Sequence, residues 1–346
     1  MKRVLLLVAL LALIVAGWAL LVSRGCSAPL QEGPRPVLDT TDPLTPRRTA
    51  PITEDSLRAL LEALPPDRPI GSPAHAATRE WLLAALRADG LQPRTQPFDW
   101  AGFPQGELAN IEASVPGERA DAPLVLFSAH YDSVRGTPGA DDNGSGVAVL
   151  LELVRRLSGG GYPHELRVVF FDAEEPGLIG SGAYVQALPE ADAHRLIGLV
   201  NLETMGYTDR RPGSQTLPDG AELVFHPGDR GDFLLCLGNF PRSAPLCKVV
   251  GDALSLEKSP VFRPEIFGWL PGNGIELPDT RRSDHSQFWD RGYAAVLITD
   301  TANMRSPHYH SATDTLATLD LPFLESGARG LERAARVLLR STPQDG

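Results

Sequence analysis

The stretch from residue 124 to residue 146 constrains the fold most strongly. An apolar run at 124–129 ends in His130-Tyr131-Asp132, a turn rich in Pro and Gly follows, and Asp141-Asp142-Asn143-Gly144 opens a second apolar segment. This pattern predicts a buried strand that ends in an imidazole and a carboxylate, followed by a helix that starts with two carboxylates. Because ligands bind at the carboxyl ends of strands in open α/β sheets, we expect a metal site here. The alternative is a solvated acidic loop after a core strand.

Apolar segments alternate with helical patterns through most of the chain. Strands are predicted where β-branched and aromatic residues cluster, at 92–100, 108–115, 124–129, 166–171, 197–202, 233–237 and 294–299. Helices are predicted from capping residues and apolar stripes, at 53–64, 72–89, 146–157, 180–188, 242–256, 286–290 and 321–339. The alternation predicts an α/β fold with a mainly parallel, mixed central sheet flanked by helices on both faces.

Charge and cysteine content exclude several classes of function. The formal net charge is −11 over 346 residues and no cluster of Lys or Arg is present, which argues against a nucleic-acid partner. Three cysteines are too few for a disulfide scaffold. Cys236 and Cys247 lie close together in sequence, so we expect either a disulfide in an oxidising compartment or two buried free thiols.

The N-terminal segment predicts export. Lys2-Arg3 precedes an apolar run at 4–22, which is about the length of a membrane span and longer than most signal peptides need. We expect residues 1–24 to anchor the chain, with the rest on the non-cytoplasmic side. Secretion after signal cleavage is the alternative. Residues 25–52 are rich in Pro and predict a linker, and 53–346 predict a single domain.

Acids and histidines follow the ends of the later strands as well. Glu174-Glu175 follows the strand at 166–171, Glu203 follows the next strand, and a loop with His308 and His310 follows the last one. The ends of parallel strands converge on one edge of a sheet, and carboxylates packed together there need cations to remain ionised. Carboxylates and imidazoles without thiolates suit zinc, with manganese or cobalt as alternatives.

These residues occur in motifs that resemble the co-catalytic di-zinc aminopeptidases, whose superfamily also holds glutamate carboxypeptidase II, glutaminyl cyclase and the transferrin receptor ectodomain. The resemblance covers roughly residues 52–340. It rests on the order and spacing of 130–132 (HYD), 139–146 (GADDNGSG), 173–181 (AEEPGLIGS), 201–203 (NLE), 283–285 (SDH) and 309–315 (YHSATDT). The resemblance implies a zinc-exopeptidase fold with its metals at the carboxyl ends of the strands.

The resemblance also implies two Zn²⁺ ions per chain with Asp142 as the bridging ligand. His130 and Glu203 would complete one metal site, and Glu175 and His310 the other. The peptide bond after Asp142 is commonly cis in this family. The family usually has Asp where this chain has Glu203, so the longer side chain is expected to shift that metal or change its affinity.

Two further roles follow from the same resemblance. Glu174 would be the general base that takes a proton from a water activated by the two zinc ions. Asp132 would accept a hydrogen bond from the second ring nitrogen of His130 and thereby fix its tautomer. Because adjacent side chains diverge, one glutamate of the Glu174-Glu175 pair can bind metal while the other faces the substrate.

Substrate contacts are predicted less directly. Arg305 and Tyr309 precede His310 and are expected to face the cleft, where Arg305 would either bind a substrate carboxylate or hold its loop. The segments 208–232 and 267–282 are expected to form loops that line a specificity pocket, with Trp269 either in that pocket or in ordinary packing. His285 is expected to order the rim or contact substrate, and His308 to pack within its loop. The remaining histidines match no motif and are predicted at the surface: His75, His164, His194 and His226.

The leading functional hypothesis is an exported, membrane-anchored zinc aminopeptidase that removes N-terminal residues from peptides. The main alternative is a glutaminyl cyclase, which would use a single zinc ion for acyl transfer without hydrolysis. A third hypothesis is a non-catalytic, receptor-like ectodomain. The complete set of acids and histidines favours an enzyme, and the intact stretch at 139–146 favours two metals.

Overall fold

The structure, a computed structural model, describes residues 51–104 and 106–340. Its helices are α1 Glu54–Ala63, α2 Pro73–Ala88, α3 Gly146–Leu157, α4 Ile179–Ala187, α5 Glu190–Arg195, α6 Ala244–Ser255, α7 His285–Asp290 and α8 Leu321–Leu338. Its strands are β1 Arg94–Pro97, β2 Ala109–Val115, β3 Leu124–His130, β4 Glu165–Phe171, β5 Leu196–Glu203, β6 Leu234–Phe240, β7 Pro264–Pro271 and β8 Ala295–Thr299.

All eight of these strands join one mixed sheet in the order β1-β2-β4-β3-β5-β8-β6-β7. The four central strands β4, β3, β5 and β8 run parallel, and β6 and β7 are parallel to each other. The strands β1, β2 and β6 introduce the antiparallel pairings. The predicted α/β class with a mixed, mainly parallel sheet is confirmed.

Both faces of the sheet are covered, which explains the uninterrupted apolar runs of the central strands. On β3, Val125 and Phe127 pack in one core cluster, together with residues of α1, α2, α3, α6 and α8. Leu124 and Leu126 point to the opposite face and pack in a second cluster, with residues of α4 and α7. Every side chain of β3 is therefore buried, and the alternation typical of a half-exposed strand is absent from it.

The first helix illustrates how local sequence sets the element boundaries. Thr53 caps α1, since its side chain accepts a hydrogen bond from the Ser56 amide at 3.2 Å. Leu57, Leu60 and Leu61 form the buried stripe. Burial of three leucines contributes about 1.5–3 kcal/mol each, so tertiary packing stabilises this short helix. Ile52, the last residue of the predicted linker, is also buried in the core.

Two elements depart from the sequence predictions. Residues 267–282 were expected to be a loop, but the first five of them belong to β7, the edge strand beside β6. The Gly and Pro content of this segment suggested a loop, although Pro264 and Pro271 stand at the strand ends, where proline is tolerated. The short helix α5 was not predicted either.

The predicted N-terminal anchor at 1–24 and the linker up to residue 50 lie outside the described residues. Across 51–104 and 106–340, no helix is long and apolar enough to cross a membrane.

Candidate metal centre

Five side chains from separate elements converge at the carboxyl edge of the central strands. We call them the ligand cluster: His130 at the end of β3, Asp142 in the turn before α3, Glu175 after β4, Glu203 at the end of β5 and His310 after β8. They form two groups that share Asp142: one contains His130, Asp142 and Glu203, and the other contains Asp142, Glu175 and His310. Within each group the candidate ligand atoms lie within 4.8 Å of one another.

Asp142 directs one carboxylate oxygen to each group. Its Oδ1 lies 3.2 Å from Nε2 of His130, and that Nε2 lies 3.3 Å from Oε1 of Glu203. Its Oδ2 lies 3.0 Å from Nε2 of His310, which is 3.2 Å from Oε2 of Glu175. One carboxylate thus connects two sets of three ligands.

These separations fit zinc. Nitrogen and oxygen ligands lie about 2.0–2.2 Å from Zn²⁺, so two ligands in a tetrahedral site are roughly 3.3–3.6 Å apart. The separations of 3.0–3.3 Å within the two groups lie at or just below this range. Asp142 Oδ2 and Glu175 Oε1 are buried yet have no hydrogen-bond partner within the described ranges. Buried polar atoms normally have a partner, and a cation would supply one. The residues present therefore fit bound zinc.

Several backbone positions at or beside the residues of the site lie in the left-handed region. Ala173 precedes Glu174 at φ +53°, Thr204 follows Glu203 at φ +43°, and His310 itself has φ +54°. Each such residue costs on the order of 1–3 kcal/mol, which the surrounding packing must offset. The Asp142–Asn143 peptide is cis, as the resemblance predicted.

Asp132 makes a different contact from the one expected. Its Oδ1 lies 3.4 Å from Nδ1 of His130, which is long for a hydrogen bond. Its stronger partners are the backbone amides of Glu174, at 3.0 Å, and Glu175, at 3.2 Å. Asp132 therefore ties the end of β3 to the segment after β4, and its contact with His130 is the weaker one.

Glu174 lies against the cluster: it forms a third group of candidate ligands with His130 and Glu175, with atoms within 4.8 Å of one another, but it belongs to neither group that shares Asp142. It is 8% exposed, and burial raises its pKa well above the ordinary range. Burial also raises the pKa of Glu175 to about 7. A carboxyl group with a raised pKa next to a ligand set can accept and return a proton near neutral pH.

The carboxylates make the two imidazoles more basic. Burial alone would lower the pKa of His310, but the nearby carboxylates of Asp142 and Glu175 raise it to about 10. Burial likewise opposes ionisation of Asp142, yet the nearby imidazoles of His130 and His310 hold its pKa below the ordinary range. The cluster stabilises positive charge strongly, as a cation site must.

A chain of hydrogen bonds holds Glu203, the residue that departs from the family pattern. Ser283 Oγ donates to Glu203 Oε2 at 2.7 Å, and Asn201 Nδ2 donates to Ser283 Oγ at 2.7 Å. Ser128 Oγ donates to Asn201 Oδ1 at 2.6 Å. The longer arm of glutamate is therefore held at its far end.

An apolar cavity of about 120 Å³ opens beside Glu203. Its walls come from residues 215–225, from β6 and β8, and from residues 277–283. The segments 208–232 and 267–282, which were expected to line a pocket, thus contribute part of the wall. The side chains that make it apolar include Leu217, Ala221, Phe225, Leu237, Phe267 and Leu277. Tyr309 lies between the cavity and the cluster and stacks on His310, with ring centroids 3.8 Å apart.

Two candidate substrate contacts, Trp269 and His285, lie outside the cavity wall. Trp269 is not part of the cavity wall, because it is 67% exposed on β7 and stacks on Phe240. His285 is fully buried, and its Nε2 donates to the carbonyl of Thr280, a residue of the cavity wall. Burial lowers the pKa of His285 to about 4. His285 therefore supports the wall from behind.

Arg305 holds its loop. Its Nε donates to Oε1 of Gln215 at 2.9 Å and its Nη1 to the carbonyl of Phe233 at 2.8 Å. With 6% of the residue exposed, a substrate carboxylate has little access to it. His308 packs within its own loop, bonded to Thr313 at 2.8 Å.

Cys236 and Cys247 are buried free thiols in this structure. Their sulfurs are 3.4 Å apart, well beyond the bonded distance of about 2.05 Å. The expected disulfide is thus absent from the structure, and the alternative of two buried thiols describes it. Strand β6 carries one sulfur and α6 the other, so the main core packs around both.

Two histidines expected at the surface are buried. His75 bonds Asp172 at 2.7 Å and stacks on Tyr131, between the segments that carry the ligands. His164 Nδ1 bonds the carbonyl of Leu338 at 2.8 Å. Arg68 is buried behind the cluster and was not considered from the sequence. No periodic pattern or motif marks any of these three residues, since each is placed by tertiary contacts.

Comparison with known proteins establishes the family. The sequence model of Peptidase family M28 matches residues 110–229. The chain is 33% identical over 288 residues to the uncharacterized protein YfbL of Escherichia coli (strain K12), covering 80% of this chain and 85% of that protein. It is 37% identical over 220 residues to an aminopeptidase of Pseudomonas aeruginosa (strain UCBPP-PA14), covering 58% of this chain but 36% of that protein. The chain belongs to peptidase family M28.

Solved structures agree on the fold. BSAP, a zinc aminopeptidase from Bacillus subtilis, has a TM-score of 0.64 at 17% identity, covering 86% of this chain and 98% of that one. A glutaminyl cyclase from Macrostomum lignano has a TM-score of 0.63 at 20% identity, covering 87% of this chain and 96% of that one. At such identities the likeness establishes the α/β fold alone. Family and ligand types together support a metal-dependent peptidase of the zinc type.

Proposed function

We propose that this chain is a zinc aminopeptidase that releases a large apolar residue from the N-terminus of a peptide. One observation carries the proposal: Asp142 directs one oxygen to His130 and Glu203 and the other to Glu175 and His310. This arrangement would hold two zinc ions, one in each group. Bound zinc at such a site lowers the pKa of water and polarises the scissile carbonyl.

Glu174 is the residue we assign as general base. It is buried beside the ligand cluster, and the Asp132 carboxylate fixes its backbone amide. It would take a proton from the attacking water and return it to the departing amine. Burial raises its pKa, which makes its carboxylate a stronger base than that of an exposed glutamate.

The apolar cavity supports removal of one residue at a time. Its volume of about 120 Å³ is slightly smaller than the engineered cavity of about 150 Å³ that accepts benzene, so we expect it to hold a single side chain of about the size of leucine. A peptide segment would not fit. With the first side chain in the cavity, the free amine would lie near Glu203, which borders both the cavity and the cluster.

Glutaminyl cyclisation is the alternative that the shared fold leaves open. A cyclase of this fold is expected to use one metal ion and to release no amino acid. The second ligand group, Asp142 with Glu175 and His310, supports hydrolysis instead. We also propose that the chain is exported and held at a membrane by residues 4–22, on the basis of the apolar N-terminal run.

The test is to substitute Glu174→Gln and assay aminoacyl-arylamides in the presence of zinc. We expect kcat to fall by about 10²–10⁴-fold while zinc content per chain is unchanged. Glu190→Gln is the matched control, because Glu190 is exposed at the start of α5. Full activity of the Glu174→Gln enzyme would refute the base assignment. If the chain bound one zinc ion and cyclised glutaminyl peptides, glutaminyl cyclisation would be its function instead of peptide hydrolysis.

A further inference from the structure

Arg68 is a buried arginine that the proposed reaction does not use. It is 1% exposed, and its guanidinium donates to backbone carbonyls. Nε donates to Tyr131 O at 2.8 Å, Nη2 to Gly139 O at 2.8 Å and Nη1 to Pro138 O at 3.0 Å. Within the described part of the chain, the guanidinium has no carboxylate oxygen within 4.0 Å as an ion-pair partner. Burial lowers the pKa of Arg68.

The carbonyls that Arg68 binds belong to the two ends of one connection. Tyr131 directly follows His130, and Gly139 lies three residues before Asp142. The connection from 131 to 139 contains no helix or strand of its own, so its geometry depends on such contacts. One rigid guanidinium thus sets the spacing between the start and the end of the segment that joins two ligands.

The packing around Gly139 leaves little room for adjustment. Gly139 has φ +68°, and a Cβ added to it would lie 2.7 Å from the Asp142 carbonyl and 3.2 Å from Arg68 Nη1. The guanidinium therefore packs directly against the turn that presents Asp142. Ser133 holds the backbone of Arg68 from the other side, since its Oγ accepts from the Arg68 amide at 3.0 Å.

The charge of Arg68 also faces the cluster. The acids that stabilise its cationic form are Asp142, Asp132, Asp314 and Glu175. Because its own hydrogen bonds go to carbonyls, it offsets their mutual repulsion without occupying the oxygens that a metal would need. A lysine would retain this charge but could not form several directed hydrogen bonds from a planar group.

We propose that Arg68 is a positioning residue that sets the geometry between His130 and Asp142 through its hydrogen bonds to the 131–139 connection. The inference rests on the proposed function insofar as these two residues bind metal. It goes beyond that function because it assigns control over metal affinity to a residue that lies outside the ligand cluster. Such supporting contacts typically change metal affinity or activity by about 10–100-fold.

The test compares Arg68→Lys with the full chain, by titrating the metal-free protein with Zn²⁺ in a calorimeter and by measuring kcat and KM. We expect Arg68→Lys to bind zinc about 10–100-fold more weakly and to lose kcat, with KM within about 2-fold because the cavity wall is untouched. Arg336→Lys is the matched control: Arg336 is 3% exposed but bonds Glu332 and Tyr162, outside the cluster. It should lose stability and keep its zinc affinity.

Ser133→Ala provides a milder variant should Arg68→Lys fail to give a cooperative unfolding transition. It removes the acceptor for the Arg68 amide and leaves the guanidinium in place. We therefore expect zinc affinity and kcat to fall as in Arg68→Lys, but by a smaller factor. Zinc affinities equal to that of the unmodified chain in both variants would overturn the proposal, as would an equal loss in Arg336→Lys. An unmodified chain that binds no zinc would instead refute the proposed function.

Discussion

The ligand cluster and the apolar cavity meet at Glu203, but different forces hold them in place. The cluster is built on the ends of parallel strands and is held by directed hydrogen bonds to backbone amides and carbonyls, such as those of Asp132 and Arg68. The cavity wall comes largely from long segments between strands. Their apolar side chains are held by packing, which is not directional. Under the proposed function, the chemistry would therefore depend on directed hydrogen bonds and the selection of side chains on apolar packing.

The largest expected effect comes from breaking the cluster at its shared ligand. Asp142→Asn removes an anionic ligand from both groups, so we expect loss of zinc and a fall in kcat of at least about 10³-fold on every substrate. Elemental analysis and arylamide assays measure both. The cavity should still bind an apolar competitor, because none of its wall residues changes. Retention of two zinc ions by this variant would contradict the assignment of Asp142 as the shared ligand.

A change in the cavity should act on selectivity alone. Ala221 is buried in the cavity wall, and Ala221→Leu would fill part of the space. We expect kcat/KM for leucyl-arylamide to fall by roughly 10–200-fold, while alanyl-arylamide changes by less than about 3-fold. Zinc content should stay constant. A parallel loss on both substrates would mean that the cavity does not receive the first side chain.

The smallest effect is expected at Trp269, which lies outside both regions. Trp269→Ala removes the stacking on Phe240, whose ring centroid is 4.7 Å away. We expect stability to fall by about 0.5–1.5 kcal/mol in urea denaturation and kcat/KM to change by less than about 2-fold. A clear loss of kcat/KM on large apolar substrates would indicate that Trp269 contacts the substrate after all.

The cluster could be predicted from the sequence because its members occupy strand ends. Apolar runs locate the strands, parallel pairing brings their ends together, and the acids and histidines that follow must therefore meet. His130, Glu174 and Glu203 each stand at or within a few residues of such an end. Strand ends also pointed to Asp132 and His308, and the resemblance selected the five ligands that the structure brings together.

The supporting residues could not be predicted in the same way. Arg68 lies in a loop between α1 and α2, and His75 lies in the first turn of α2, where neither periodicity nor spacing distinguishes a buried polar residue from an exposed one. The contacts of each residue join positions more than 60 residues apart in sequence. The prediction of a loop at 267–282 was incorrect for a related reason: Gly and Pro suggested a loop where the pairing of β7 with β6 forms an edge strand.

The order of the ligands along the chain has a consequence for synthesis. His130, Asp142 and Glu203 all emerge from the ribosome with β3, β4 and β5, which pair with one another, whereas His310 emerges only after β6, β7 and β8. N-terminal parts of a chain can begin to fold before the rest is complete. We therefore expect a nascent chain to present one complete zinc-binding group before the second exists, and before the cavity that would receive the first side chain has formed.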